Sequence, residues 1–188
     1  RLIGPVHAHD NRLATSATGQ GSYGLTELGK QLCERIYARG ALVDVSHMSD
    51  AAFADLVPIA ARHDAPIVAT HSNARALAPH TRHLTDEQLT ILGETGGVAG
   101  LNLYAPFVKA SNPTLADVVA QVRHMVKVAG VDAVAIGSDF DGGTPVPALA
   151  DAGRMPDLAR ALVADGMSEG DVRKVFGENA LRILYWRQ

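Results

Sequence analysis

Two short apolar stretches, Ala41-Leu-Val-Asp-Val-Ser-His47 and Ala65-Pro-Ile-Val-Ala-Thr-His71-Ser72, each run into a histidine, and their reading decides the fold. Both are β-branched runs of the kind that lie buried on two faces in a parallel sheet. The intervening segment 49–63 reads as a helix. Ser49 is its N-cap, and Phe53, Leu56, Val57 and Ala60 form an apolar stripe at helical spacing. Strand, helix and strand joined by a right-handed crossover place the two strands parallel and close together. His47 and His71 then emerge at one carboxyl edge, where α/β proteins build their sites, and two imidazoles held there suit a divalent metal such as zinc.

The same pattern extends in both directions. Leu2 to Val6 is apolar and delivers His7-Ala-His9-Asp10-Asn11, followed by a polar, glycine-rich loop. A helix is expected over 26–39, with Leu25, Leu28, Leu32 and Ile36 on one face and Gly40 as its stop. Cys33 falls within it as a small core residue. Beyond His71, residues 72–84 form a polar loop carrying Arg75, His80, Arg82 and His83, longer than a plain connector needs. Thr85-Asp-Glu-Gln88 has capping-box spacing and opens a short helix. A strand over 98–104 follows, then a helix opened by Asn112-Pro-Thr114, with Leu115, Val118, Val119, Val122, Val126 and Ala129 as its stripe. The run 131–138 is a further buried strand, ending in Asp139-Phe-Asp-Gly-Gly143. A proline-bearing loop and two closing helices complete the chain.

Five strands, each followed by helix, fit either an open doubly wound sheet or part of a (β/α)8 barrel. No glycine-rich phosphate loop follows a strand, which argues against a nucleotide-binding sheet. His7, His47, His71 and Asp139 all sit at carboxyl ends of strands, as in barrel hydrolases.

The totals narrow the partners. A chain of 188 residues suits one domain with a real core. Its 47% hydrophobic and 20% charged residues are those of an ordinary globular protein. A net charge of −3 gives no case for nucleic acid or an anionic membrane. One cysteine excludes an internal disulfide. No run approaches the roughly 20 apolar residues that span a bilayer, and the first residues are not a signal peptide; the location is left open, with the cytoplasm as the expectation. The start at Arg1, already strand-like and without an initiator Met, suits part of a longer protein.

Three motifs carry a resemblance: Val43-Asp-Val-Ser-His47-Met-Ser, Pro66-Ile-Val-Ala-Thr-His71-Ser and Ile136-Gly-Ser-Asp139-Phe-Asp-Gly142. In order and spacing, together with Gly24-Leu-Thr-Glu-Leu-Gly29 and Glu178-Asn-Ala-Leu181, they resemble the membrane dipeptidase (renal dipeptidase) family of zinc peptidases. The resemblance implies an α/β metal-dependent hydrolase barrel with a binuclear zinc site. There a metal-bridging hydroxide hydrolyses dipeptides, often with a D-residue at the C-terminal position. Carried over, His47 and His71 are ligands of one zinc, His7 polarises the substrate, Arg82 holds its carboxylate, and Asp139 moves the proton.

The family's His-x-Asp pair on the first strand and its bridging glutamate on the third have no counterpart here. The expectation is therefore that residues 1–188 are strands four to eight, the C-terminal portion of one barrel domain. An upstream barrel segment is then required, and the chain alone is inactive. A homodimer is open. The other readings are a different metal-dependent amidohydrolase or lactonase on the same barrel, and a catalytically silent fragment. Asp44, Asn102 and Asp141 are candidates for orienting the ligands.

Overall fold

A computed structural model of the chain describes residues 1–187. Five parallel strands follow one another across a single arc: β1 (Leu2–Ile3), β2 (Leu42–Val43), β3 (Val68–Ala69), β4 (Val98–Leu101) and β5 (Val134–Ile136). Leu2 pairs with Leu42, Val68 with Val98 and Ala99 with Val134. A parallel bridge from Asp44 to Val68 joins the two halves. Spatial order equals chain order throughout, with no point at which the winding reverses. A doubly wound sheet as a whole needs such a reversal, so the observed order fits the α/β barrel alternative better. The arc does not close among the described residues. β1 and β5 remain its two edges.

Helices fill the crossovers: α1 (Glu27–Ala38), α2 (Asp50–Arg62), α3 (Asp86–Glu94), α4 (Ala105–Val108), α5 (Leu115–Ala129), α6 (Met155–Ala164), α7 (Glu169–Arg173) and α8 (Asn179–Leu184). Their starts are chemical. Thr26, Ser49, Thr85, Thr114 and Ser168 each accept a bond from an amide two or three residues into the helix, as N-caps do. Thr85 with Gln88 and Thr114 with Asp117 close full capping boxes. No helix is long and apolar enough to cross a membrane among the described residues.

Some sequence expectations need correction. Leu28 does not join the apolar face of α1: it is 48% exposed, whereas Ile36 and Cys33 are buried as expected and Tyr37 joins them. On α5 the buried face includes Gln121 and Met125, because Gln121 accepts a bond from Ala74 N at 3.0 Å. The single turn α4 and a π-helical turn at Lys174–Glu178 carry no sequence signal that periodicity reads.

The amino-terminal end of the sheet is fastened by the C-terminal helix. Asn179 Nδ2 donates to Val131 O and Val134 O, both at 2.8 Å. Arg182 reaches the carbonyls of Gly96 and Asp132, and Arg1 those of Leu184 and Trp186. The opposite, carboxyl end stays open for a site.

Candidate active site

At that end a cavity of about 340 Å³ is bordered by His7, His47, Arg82, Tyr104, Phe107 and Asp139, among others. Four of the five residues singled out from sequence therefore face one space. The fifth, His71, meets it through His47: the two Nε2 atoms lie 3.0 Å apart. The His7 ring stacks on His47 with centroids 4.0 Å apart.

The backbone accounts for these positions. His47 has φ +74°, a left-handed conformation rare for a residue with a Cβ. The loop after His7 stabilises it, since Ala17 N donates to His47 O at 2.8 Å. That loop is itself pinned by Asp10, whose carboxylate accepts from the amides of Ser16, Gln20 and Gly21. Asp10 is thus occupied with its own loop. Ser16 Oγ donates to His7 O at 2.7 Å and fixes the other histidine. Asp139 is also left-handed, at φ +60°. Strained conformations of this sort gather at functional sites, where the surroundings hold them.

His71 follows β3 directly. Its Nδ1 lies 2.7 Å from Thr70 Oγ1, and its amide donates to Ser46 Oγ at 3.0 Å. Nε2 is left to face His47. Burial, then Arg82, His7 and His71, push the His47 imidazole down to about 3, so it is neutral at ordinary pH. Burial, followed by Arg82, also lowers His71, against the opposing pull of Asp139 and Asp44.

Arg82 is buried at 5% exposure. Read alone it would be a solvated loop charge; the fold places it inside. Burial pushes it down to about 10 while Asp139 and Asp44 hold it up, so it remains a cation at neutral pH. Its nitrogens have two long contacts, 3.5 Å to Ser72 Oγ and 3.4 Å to His71 O, and its plane lies 5.8 Å from the Phe107 centroid. A buried guanidinium with such weak partners has donors to spare for an anion.

Of the suggested orienting residues, Asp44 bonds Thr70 and Asn102 bonds Asp139 at 2.9 Å, whereas Asp141 is exposed. Sequence reasoning does not single out Thr70, Tyr104 or Phe107. The signal for Thr70 is its place immediately before a strand-end histidine; aromatic residues after β4 give none.

The donor chemistry can be tested against a metal. Among the described residues no three His, Cys, Asp or Glu side chains converge as a metal cluster. Two neutral imidazole nitrogens 3.0 Å apart do converge. Zinc bonds of about 2.0–2.1 Å set neighbouring tetrahedral ligands roughly 3.3 Å apart, so the pair fits as part of a zinc centre. Three protein ligands are usual in catalytic zinc sites, and this chain presents two.

A sequential parallel arc with paired imidazoles, a buried cation and a carboxylate at its carboxyl edge defines a hydrolase-like α/β protein of the barrel class. The chain belongs to the membrane dipeptidase family (peptidase family M19), whose model matches residues 1–188. It is 38% identical over 201 residues to an uncharacterized protein in the pqqA 5′ region of Klebsiella pneumoniae, covering 100% of this chain and 73% of that one. It is 32% identical over 190 residues to the dipeptidase tcpJ of Claviceps purpurea, covering 98% of this chain and 44% of the relative. Among solved structures, a metallo peptidase from Rhodobacter sphaeroides, liganded with a phosphinate mimic of the dipeptide L-Ala-D-Ala, superposes with a TM-score of 0.92 at 33% identity. The match covers 100% of this chain and 56% of that one. The dipeptidase AC, also a metallo peptidase, gives a TM-score of 0.92 at 33% identity over 99% of this chain and 57% of its own. The chain thus spans little more than half the length of the solved structures it matches. An amidohydrolase from Burkholderia multivorans with bound zinc is 19% identical at a TM-score of 0.57 and shares the fold alone.

Proposed function

We propose that this chain forms strands four to eight of a zinc-dependent dipeptidase barrel and carries the substrate-facing half of its site. The observation that carries the reading is the meeting of His47 and His71 at 3.0 Å beside a cavity lined by His7, Arg82 and Asp139.

His47 and His71 would hold one zinc of a binuclear centre, with the remaining ligands supplied by an upstream segment. When bound, such a centre supplies a nucleophile at neutral pH and polarises the scissile carbonyl. This chain's own residues bind and direct the substrate. Arg82 clamps the C-terminal carboxylate of the dipeptide, a bidentate geometry lysine cannot match. His7, exposed at the cavity edge and braced on His47, donates to the developing oxyanion, a contact worth roughly 3 kcal/mol in comparable sites. Asp139 takes a proton from the attacking water and returns it to the leaving nitrogen. A carboxylate clamp at one end favours dipeptides, and the L-Ala-D-Ala mimic bound to the Rhodobacter sphaeroides metallo peptidase supports a D-residue at the C-terminal position.

The open edges β1 and β5, and the 56–57% coverage of the two solved metallo peptidases, support completion of the barrel by further strands. The test compares residues 1–188 with a longer chain carrying the upstream segment. Zinc content and hydrolysis of L-Ala-D-Ala, a lactone and a phosphotriester are measured for both. The expected result is dipeptide hydrolysis confined to the longer chain. A monomeric, two-zinc, active product from 1–188, or a preference for lactone or phosphotriester, would contradict it.

A further inference from the structure

Asn102 lies one residue past β4 with no residual exposure. Its Oδ1 accepts from Tyr104 N at 2.7 Å and its Nδ2 donates to Asp139 Oδ2 at 2.9 Å. A backbone N–H is a donor only and an ionised carboxylate an acceptor only, so the amide has a single orientation in which both contacts are made. Asn73, equally buried, holds it from below. Asn73 Oδ1 accepts from Asn102 N at 2.8 Å, and Asn73 Nδ2 donates to Asn102 O and Phe107 O, both at 3.0 Å. Two buried amides are costly where apolar side chains would serve, unless their bonds do something. Here they run from the sheet to one carboxylate.

Asp139 is constrained from the other side as well. Its carbonyl accepts from Gly142 N at 3.1 Å. A Cβ on residue 142 would stand 2.2 Å from Asp139 Oδ1. Oδ2 is therefore taken by Asn102, and Oδ1 is turned toward Gly142, with which Asp139 shares the cavity wall.

We propose that Asn102 is a positioning residue that selects which oxygen of Asp139 handles the proton. Nδ2 occupies Oδ2. The proton leaving the attacking water lands on Oδ1, and Oδ1 passes it to the nitrogen as the C–N bond breaks. Gly142 keeps the space that Oδ1 needs. This rests on the role proposed for Asp139 and adds to it the device that makes one oxygen reactive.

The test is a leaving-group comparison in the longer, zinc-loaded protein. Asn102→Asp keeps the shape and the acceptor for Tyr104 N but replaces the donor with an oxygen. Gly142→Ala keeps both amide side chains but crowds the Asp139 carboxylate itself, at Oδ1 and its carbon. Each is assayed on a dipeptide, whose amine must be protonated to leave, and on an aminoacyl ester of a nitrohydroxybenzoate, whose phenolate departs without a proton. Both variants should lower dipeptide kcat by about 10²-fold with little change in KM; the ester still needs Oδ1 to take the water's proton but not to return it, so its kcat should fall clearly less, by about tenfold. A merely structural role would lower both substrates equally. That outcome in a folded variant, or an unchanged dipeptide kcat in Asn102→Asp, overturns the proposal. If Asn102→Asp does not fold, Asn102→Ser, which removes the donor to Oδ2 without adding a charge, decides by the same criterion. Asp139→Asn is measured alongside. If it keeps its dipeptide kcat, the proton-transfer role itself fails and the positioning claim with it; if it loses activity while Asn102→Asp does not, the positioning claim alone is wrong.

Discussion

Asp44, at the end of β2, accepts a hydrogen bond from the Thr70 hydroxyl at 2.6 Å, across to the end of β3. That contact sets the state of a histidine it never touches. The carboxylate is an acceptor only, so the Thr70 proton points to Asp44 and Thr70 Oγ1 must accept from His71 Nδ1–H. His71 Nε2 then carries the lone pair that faces His47. The other Asp44 oxygen accepts from Ser46 N and Thr70 N, which locks the arrangement to the backbone.

Thr70→Val is nearly isosteric and removes the relay. It should weaken zinc binding by about 10–100-fold while the fold persists, as loss of a ligand-orienting partner does. Competition with a chromophoric chelator measures this. Unchanged affinity would mean that His71 is oriented by packing alone.

Arg82→Lys keeps the charge and loses the planar fork. KM for dipeptides should rise by about tenfold or more, and far less for substrates whose C-terminal carboxylate is amidated. Equal effects on both substrates would show that the carboxylate is not its target.

His83 offers a prediction about stability. It is 2% exposed, its Nδ1 donates to Ala78 O, and its Nε2 has no partner among the described residues. Burial above all pushes it down to about 4, whereas an unfolded histidine titrates near 6.5. Between those values the unfolded chain holds the extra proton, so stability rises with pH. The contribution is complete above about pH 6.5 and is lost as the pH falls toward 4. Asn at this position retains a donor for Ala78 O without the titration. Urea unfolding at pH 7 and pH 5 should show a smaller loss for His83→Asn than for the parent chain; equal losses would exclude His83 as a source of acid sensitivity.

Much of this architecture is legible in the amino-acid sequence because it rests on local chemistry. The caps at Ser49 and Thr85 announce their helices, and β-branched runs closing on His47, His71 and Asp139 announce strands that deliver a site. What stays hidden depends on partners distant in the chain. Arg82 is buried because Phe107, from the segment after β4, packs beneath it. His47 adopts its left-handed backbone because Ala17, thirty residues upstream, holds its carbonyl. The stripe on α1 misplaces Leu28 because helical spacing gives a face and not its width.

The pairing of His47 with His71 carries the whole account, and the metal content of the double variant tests it most directly. The longer, barrel-completed protein with His47→Ala and His71→Ala together is measured by elemental analysis beside the unaltered protein. Loss of one zinc per site, together with most dipeptide hydrolysis, is the predicted result. Retention of both metals would show that the two imidazoles meet for some other reason, and the assignment of the centre would be wrong.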